Sequence, residues 1–389
     1  MNELSDIIKL IDGLDERAMR EARERQDYLA KVPGSLGRLE DISISLAGIT
    51  GRPCGNDVKE QAIILMCADN GIVKEGVASA PQSVTLMQTV NFTEGITGVS
   101  SQAKYFGIDL LVVDIGVKLD IPKEDLAEAM LLNPEGDGDV VLTDKIVNRR
   151  IANGTKSFLD EPAMTREEAI RGILVGVEAA EACKAAGKKI IGVGEMGIGN
   201  TTTSSAIIAA LAKGSASIEQ IVGRGGGLSD EGLAKKCDVI EKALRKYESS
   251  YMTKDGIDAI ELLRCVGGFD IAGMVGAYIG AALNKLPAVV DGVISIAAAL
   301  LAVEICPAVK DYLFTSHKSK EGGYMIAAEL LGVEPMFDLG MRLGEGSGCP
   351  IAFKIIEAAC AVMNGMKTLE EARVDADYLD EFREDGQFQ

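Results

Sequence analysis

The segment from residue 188 to residue 210 constrains the fold more than any other part of the chain. It opens with an apolar run at 190–193 that is typical of a buried strand. The turn at 194–199 is too rich in glycine to be interpreted as strand or helix. Residues 200–203, an asparagine and three threonines, lead into an apolar helical run at 206–212. This order predicts a cradle for phosphate, because the N–H groups and dipole at a helix N-terminus bind anions.

Two established phosphate-binding motifs do not describe this loop. It is not a P-loop, because no Gly-Lys-Ser/Thr closes it. Gly192, Gly194 and Gly197 read G-x-G-x-x-G, but the acidic residue that a dinucleotide fingerprint needs about 20 residues further on is absent. A plain strand-to-helix turn with a side-chain N-cap stays open as the alternative, because Ser, Thr and Asn commonly cap helices.

Apolar runs that end in polar residues or glycine recur along the rest of the chain. The further strand candidates are residues 62–67, 110–113, 288–290, 312–314 and 336–337. Helical stretches separate most of them, which indicates a mostly parallel sheet covered by helices. Ligands bind at the carboxyl ends of such strands. We therefore expect the polar residues that follow the strands to share one edge of the sheet, namely Asp69, Asp114, Glu195, Asp291 and Ser316.

The N-terminal part is helical in pattern, and one later region has little pattern at all. Residues 4–14 carry apolar residues at helical spacing, and a charged helix is predicted at 16–31. A further apolar helix follows a Pro-Gly break and continues through residue 46. Residues 119–155 are rich in Asp, Gly and Asn, and we interpret them as a long loop with at most one short helix.

The C-terminal part is also helical. Residues 351–363 predict a helix that Pro350 opens at its first turn. Thr368 is a good cap for the last helix, and residues 380–389 predict a polar, frayed end.

Charge and composition exclude several functions. The net charge of −19 argues against nucleic acid and anionic membrane surfaces as main partners. The apolar stretches 266–283 and 287–309 are interrupted by acidic residues, so we interpret them as buried core elements rather than membrane spans. Eight cysteines without a C-x-x-C spacing, and no signal peptide in the sequence, indicate free thiols and a cytoplasmic protein. His317 is the only histidine, which argues against a metal site of the usual Cys/His spacing.

A second glycine cluster lies at 223–227 and contains Arg224. Backbone N–H groups and a guanidinium in one loop predict a second anion-binding loop. Taken alone, a flexible surface turn is the alternative interpretation.

Seven segments together carry a family resemblance. They are ADNGIVKEGVASAPQSVT (68–85), VDIGV (113–117), GVGEMGIGNTT (192–202), GGFDIAGM (267–274), DGVIS (291–295), SHKS (316–319) and MRLGEGSG (341–348). In this order they resemble the nicotinate-nucleotide–dimethylbenzimidazole phosphoribosyltransferase family of cobamide lower-ligand activation. The resemblance implies transfer of phosphoribose from nicotinate mononucleotide to a lower-ligand base, with inversion at the anomeric carbon. The products would be nicotinate and an α-ribotide.

The resemblance also implies an architecture. It is a large α/β domain with a mostly parallel, Rossmann-like sheet flanked by helices, at residues 56–354. Both chain ends, residues 1–55 and 355–389, would form a small helical domain. The resemblance further implies a homodimer and no metal or cofactor, with small molecules as substrates.

The family resemblance assigns roles in this reaction to named residues. By resemblance, Glu345 is the general base that takes the acceptor's proton, and an exposed turn carboxylate is the alternative interpretation. Glu195 would hold ribose hydroxyls, and the two glycine loops would hold the phosphoribose. The predicted substrate-binding residues are Glu195, Gly197, Gly199, Asn200, Thr201, Thr202, Gly223, Arg224, Gly225, Asp291 and Ser316. His317 is interpreted as a structural residue at the edge of this site.

The resemblance also implies an acceptor pocket that comprises Ala80, Val84, Gln88, Met196 and Leu343. Ala80 stands where well-known members of the family carry serine, and Asn70 stands where they carry histidine. A lost hydroxyl makes the pocket wall more apolar. Phenol or p-cresol is therefore the alternative acceptor to a benzimidazole, and a heterodimer with a paralogue is the alternative to a homodimer.

Two competing functional classes stay open at this point. A nucleotide-dependent oxidoreductase rests only on the G-x-G-x-x-G match. A non-catalytic subunit of a heterodimer would have no need for Glu345 or for the intact glycine loop.

Overall fold

The computed structural model describes residues 3–132 and 140–375. The predicted frayed end at 380–389 lies outside these residues. The strands of the described part are β1 (Gln61–Ala68), β2 (Asp109–Gly116), β3 (Leu126–Ala127), β4 (Leu131–Leu132), β5 (Val141–Leu142), β6 (Ile146–Asn148), β7 (Ile190–Met196), β8 (Met252–Thr253), β9 (Gly256–Ile257), β10 (Ala288–Val290) and β11 (Leu313–Thr315).

The α-helices of the same part are α1 (Glu3–Ile8), α2 (Glu16–Tyr28), α3 (Arg38–Thr50), α4 (Ser83–Glu94), α5 (Gly98–Phe106), α6 (Arg166–Ala185), α7 (Asn200–Ala212), α8 (Ile218–Ile221), α9 (Asp230–Tyr251), α10 (Ala259–Val266), α11 (Phe269–Leu283), α12 (Val293–Ile305), α13 (Gly323–Leu331), α14 (Cys349–Gly365) and α15 (Leu369–Ala372). Short 3₁₀ helices lie at Gly71–Glu75, Lys123–Asp125 and Pro307–Tyr312.

One seven-stranded sheet in the order β11-β10-β7-β1-β2-β6-β3 organises the molecule. Every pairing in it is parallel. Parallel strands need crossover connections, and helices supply most of them here. The α/β class with a mostly parallel sheet flanked by helices is confirmed.

The central strands are buried on both faces. All eight residues of β1 and all seven of β7 are buried, which explains their continuous apolar runs. The two apolar stretches flagged in the sequence are largely buried helices, α11 and α12, with β10 between them. Within residues 3–132 and 140–375, no helix has the length and apolarity that a membrane span requires.

Helices from both chain ends pack together beside the sheet. α2 lies on α3, and α3 lies on α14. A small apolar cluster, separate from the main core, joins them through Ala22, Ile44, Ala47 and Met363. The division into two domains at residues 55/56 and 354/355 stays a prediction.

Several predicted elements differ from the structure. The described residues of the region 119–155 include four short strands, and β3 and β6 extend one edge of the main sheet. Strands of two or three residues have no sequence period and depend on their neighbours. Residues 336–337 form only an isolated bridge between Phe337 and His317. The first helix ends at Ile8, well before residue 14.

The end of β7 is the most informative difference. Gly194 and Glu195 belong to the strand, although the sequence places them in the turn. Gly194 pairs with Leu65 on β1, and a Cβ at Gly194 would lie 2.7 Å from the carbonyl oxygen of Glu345. Pairing with β1 therefore overrides the weak strand propensity of glycine, and close packing requires a residue without a side chain.

Candidate functional site

A cavity of about 590 Å³ opens at the carboxyl ends of the central strands. Glu195 and Met196 at the end of β7 line it, as do Asp291 after β10 and His317 after β11. Parallel sheets place ligands at this edge, because the loops that follow the strands converge there. Asp69 and Ser316 follow their strands at the same edge, whereas Asp114 lies within β2, two residues before its end. All three are buried and do not line the cavity.

The loop before α14 carries Glu345 into the cavity. Gly344, Glu345 and Gly346 all have positive φ, at 83°, 62° and 79°. A glutamate in the left-handed region is strained, and such strain persists only where the surroundings impose it. The carboxylate of Asp291 imposes it here, because it accepts hydrogen bonds from the backbone N–H groups of Gly346 at 3.1 Å and Gly348 at 2.7 Å.

The Glu345 side chain is buried and hydrogen-bonded. Its Oε1 accepts from Nε2 of Gln88 at 3.2 Å, and its Oε2 accepts from the backbone N–H of Val99 at 3.4 Å. Only 6% of the residue is exposed, so an exposed turn carboxylate does not describe it. Burial raises the pKa of Glu345 above its usual range, which makes it a better proton acceptor than a free glutamate.

The first glycine loop ends at an uncapped helix. α7 begins at Asn200, and its N-cap is Gly199 with φ of 98° and no side-chain cap. The alternative of a side-chain-capped turn therefore does not hold. Gly197, Gly199, Asn200 and Thr201 line the cavity, whereas Thr202 is fully buried behind them. The N–H groups of Asn200 and Thr202 donate to the carbonyls of Gly197 and Gly199, at 3.1 and 2.9 Å. The positive end of the helix dipole beside the cavity still suits an anion.

The second glycine loop meets the first. A Cβ on Gly225 would lie 2.9 Å from Oγ1 of Thr201. Arg224 and Gly225 line the cavity, but Gly223 does not. The guanidinium of Arg224 donates to the carbonyl of Leu228 at 2.8 Å and pairs with Asp230, so it braces its own loop.

Lys236 on α9 forms hydrogen bonds to both loop regions, and the sequence analysis did not predict it as a site residue. Its Nζ donates to Oγ1 of Thr201 at 2.9 Å and to the carbonyl of Gly223 at 3.1 Å. The residue is fully buried, and burial lowers the pKa of Lys236 to about 8. The signal was present in the sequence: Lys236 occupies the apolar stripe of α9 with Val239 and Ile240.

Two buried acids, Glu195 and Asp270, are bridged by Asn200 at the start of α7. The side-chain nitrogen of Asn200 donates to Oε2 of Glu195 and, at 3.1 Å, to Oδ2 of Asp270. Asn70 also donates to Oδ2 of Asp270, at 3.4 Å. Burial, the largest cause, raises the pKa of Glu195 to about 8 and that of Asp270 to about 7.

His317 is buried at the wall of the cavity. Its Nδ1 lies 3.1 Å from Oγ of Ser316, and that hydroxyl donates to the carbonyl of Asp291. Nε2 has no partner within the described residues. Burial lowers the pKa of His317 to about 4, so the imidazole is neutral at pH 7.

The described residues contain no group of His, Cys, Asp and Glu side chains with the geometry of a metal site. All five residues of the predicted acceptor pocket line the cavity, namely Ala80, Val84, Gln88, Met196 and Leu343. This wall is mostly apolar, with Gln88 as its hydrogen-bonding group.

Comparison with known proteins decides the family. The family model described as "Phosphoribosyltransferase" matches residues 11–374. A nicotinate-nucleotide--dimethylbenzimidazole phosphoribosyltransferase of Clostridium perfringens is 46% identical over 382 residues, which cover 98% of this chain and 98% of that one. A protein of the same name from Alkaliphilus metalliredigens is 45% identical over 96% of this chain and 99% of its own. The chain belongs to this phosphoribosyltransferase family.

A solved structure of the same family agrees with the fold. The protein of this name from Thermus thermophilus has a TM-score of 0.81 and 34% identity, over 93% of this chain and 99% of its own. The resemblance read from the seven segments is thereby confirmed.

Most site residues predicted from the phosphoribosyltransferase resemblance line the cavity at the carboxyl ends of the strands. Besides Glu345 and the acceptor pocket, these are Glu195, Gly197, Gly199, Asn200, Thr201, Arg224, Gly225 and Asp291. Thr202, Gly223 and Ser316 lie behind its wall. Cavity-lining residues that the prediction omitted include Ser79, Ser319, Glu321 and Arg342.

Proposed function

We propose that the chain transfers phosphoribose from nicotinate mononucleotide to a cobamide lower-ligand base of the 5,6-dimethylbenzimidazole type. The products are nicotinate and an α-ribotide 5′-phosphate (α-ribazole phosphate), formed with inversion at the anomeric carbon. The observation that carries this proposal is one cavity lined by a buried carboxylate, an apolar wall and two glycine loops.

Glu345 acts as the general base. The attacking base must lose a proton, and a buried carboxylate with a raised pKa accepts one readily. The hydrogen bonds from Gln88 and Val99 hold its two oxygens in place. The departing pyridinium nitrogen becomes neutral as the C–N bond breaks, so the site needs no strong acid for the leaving group.

The glycine loops hold the phosphoribose. The positive end of the α7 dipole attracts the phosphate, and Lys236 supplies positive charge behind Thr201. Holding both substrates in line contributes much of the remaining rate, because a bimolecular step becomes effectively unimolecular.

A phenolic acceptor is the second candidate, and one observation favours it. Ala80, Val84 and Leu343 all line the cavity, and none of these three residues carries a hydroxyl. Phenol or p-cresol would then be joined through its oxygen, with the same base and the same donor.

We further propose a homodimer, or a heterodimer with a paralogue for the phenolic reaction, that needs no metal or cofactor. We also propose that residues 56–354 form one domain and both chain ends a second, and that the protein is cytoplasmic. Free thiols at all eight cysteines agree with a reducing compartment.

A product assay tests the proposed function. The purified chain is incubated with nicotinate mononucleotide and equal amounts of 5,6-dimethylbenzimidazole and p-cresol, and the products are resolved by mass. We expect the benzimidazole ribotide. A phenolic ribotide alone would establish the second candidate, and no ribotide from either acceptor would contradict both.

A further inference from the structure

Glu195 and Asp270 form a buried pair of acids that the proposed reaction does not otherwise use together. The single amide nitrogen of Asn200 donates to one oxygen of each carboxyl group. Asp270 is fully buried, and Glu195 lies at the cavity wall with 6% of its surface exposed. The pair is therefore closed off at Asp270 and borders the cavity at Glu195.

No positive side chain balances the pair. Among the described residues, no lysine, arginine or histidine forms an ion pair with Glu195 or Asp270. The charged group that faces Glu195 from a neighbouring element is also an acid, Asp291 after β10. The loop before α14 contributes only a backbone donor, the N–H of Glu345, which lies 3.4 Å from Oε1 of Glu195. Two ionised carboxyl groups in such surroundings repel each other and lose their hydration, which favours retention of a proton.

An unsatisfied acceptor beside Asp270 is the second observation. Oδ1 of Asn70 is buried without a hydrogen-bond partner. That atom and Oδ1 of Asp270 both lie against the point where a Cβ on Gly268 would stand. A proton on Asp270 supplies the donor that this group of acceptors lacks.

We propose that Glu195 and Asp270, bridged by Asn200, share one proton before substrate binds and release it when a ligand with a positively charged ring enters the cavity. The inference rests on the proposed function, because the pyridinium ring of nicotinate mononucleotide is that ligand. On release the O–H bond of the shared carboxyl group breaks, its electron pair stays on the oxygen, and the proton passes to solvent. The pair then presents a second negative charge to the cationic ring.

The raised pKa values of the two acids agree with this behaviour near neutral pH. As the C–N bond breaks, the ring loses its charge and the pair regains affinity for a proton. The pair therefore discriminates between the charged substrate and the neutral pyridine ring of the product.

Calorimetry measures the released proton directly. Nicotinate mononucleotide is titrated into the wild-type protein at pH 7 in two buffers of different ionisation enthalpy, and ribose 5-phosphate is titrated in the same way. Ribose 5-phosphate carries the phosphate without the charged ring. We expect nicotinate mononucleotide to release about one proton more than ribose 5-phosphate. Equal proton counts would overturn the proposal, and this comparison needs no variant.

Two variants identify the source of the proton. Asp270→Asn keeps the shape of the side chain and removes one acid, so the difference between the two ligands should fall close to zero. Asp114→Asn is the matched control, because Asp114 is a buried acid at the same sheet edge that Arg150 already balances at 3.0 Å. It should keep the full difference. Survival of the difference in Asp270→Asn would overturn the assignment.

Infrared spectra separate this inference from the proposed function. The ligand-free wild type at pH 7 should show a protonated-carboxyl band that Asp270→Asn lacks. Absence of that band overturns the shared proton whatever the enzyme binds. A band with no binding of nicotinate mononucleotide supports the shared proton and overturns the proposed substrate together with the release step.

Discussion

Glu345 combines backbone strain, burial and two hydrogen bonds in one residue. Replacement by glutamine keeps its length and removes its ability to accept a proton. We expect Glu345→Gln to lower kcat by about 10²–10⁴-fold, with little change in the KM for nicotinate mononucleotide. Steady-state kinetics and a circular dichroism spectrum of the variant measure this.

The matched control is Glu321→Gln, which alters another cavity-lining carboxylate near the second glycine loop. It should change KM more than kcat. A near-normal kcat for Glu345→Gln would remove Glu345 from the mechanism.

The substitution Ala80→Ser tests how strongly one hydroxyl affects the choice of acceptor. Serine at this position adds a hydrogen-bonding group to an apolar wall. In a benzimidazole the nitrogen that does not attack gives its proton to Glu345 and can then accept a hydrogen bond from the hydroxyl, whereas the only polar atom of p-cresol is the one that attacks. We expect Ala80→Ser to raise the ratio of kcat/KM for dimethylbenzimidazole over p-cresol by about fivefold, the worth of one hydrogen bond. An unchanged ratio in competition assays would show that Ala80 does not face the acceptor.

Single residues were predictable where local sequence carries the signal. Glu345 stands between glycines, and Glu195 stands at the end of an apolar run, so both are visible in the sequence. Lys236 shows a local signal, a lysine in the apolar stripe of a helix, but its partner Thr201 is 35 positions away and only the fold brings them together. Arg224 is in the predicted loop, but its guanidinium pairs with Asp230, which composition does not reveal.

β7 packs closely against the loop that carries Glu345. A Cβ on Gly194 would lie 2.7 Å from the carbonyl oxygen of Glu345 and 2.7 Å from the nitrogen of Gly346. Gly194→Ala should therefore push this loop out of place and lower kcat by about 10²-fold, because small displacements of catalytic groups are costly. Gly365→Ala is the matched control, since no atom lies within 4 Å of its added methyl group. Equal activity of the two variants would contradict this role of the loop contact.

Elements with a clear period were predicted well. The strands at 62–67, 110–113 and 190–193 correspond to β1, β2 and β7, although β7 runs three residues further. The short strands β3 and β6 were missed, because two or three residues carry no periodicity and only pairing with the sheet defines them.

Across the protein as a whole, the sheet edge gathers buried acids that hold protons in the folded state. Burial raises the pKa of Glu195 to about 8 and those of Asp270 and Asp291 to about 7. The native state therefore binds more protons than the unfolded chain at neutral pH. The contribution of these protons to the free energy of unfolding is lost as pH rises through those pKa values. We expect the free energy of unfolding to fall by on the order of 2 kcal/mol between about pH 6.5 and pH 8.

Denaturant unfolding across this range measures the slope. Asp270→Asn should make the slope shallower, because one of the three acids is removed. The ordinary pKa of His317 is 6.5, so the window lies above the range in which its burial affects stability. A wild-type stability that stays level or rises over this window would contradict the protonated state of the acids.

The stoichiometry of the products decides whether the chain catalyses the proposed transfer with Glu345 as its base. Nicotinate and ribotide are quantified after incubation of the purified chain with nicotinate mononucleotide, with and without 5,6-dimethylbenzimidazole, for wild type and Glu345→Gln. We expect equal amounts of nicotinate and α-ribotide, formed only with the acceptor, and about 10²–10⁴-fold slower formation in the variant. Failure of the wild type to release nicotinate with any acceptor, or an undiminished rate in Glu345→Gln, would contradict the proposed function.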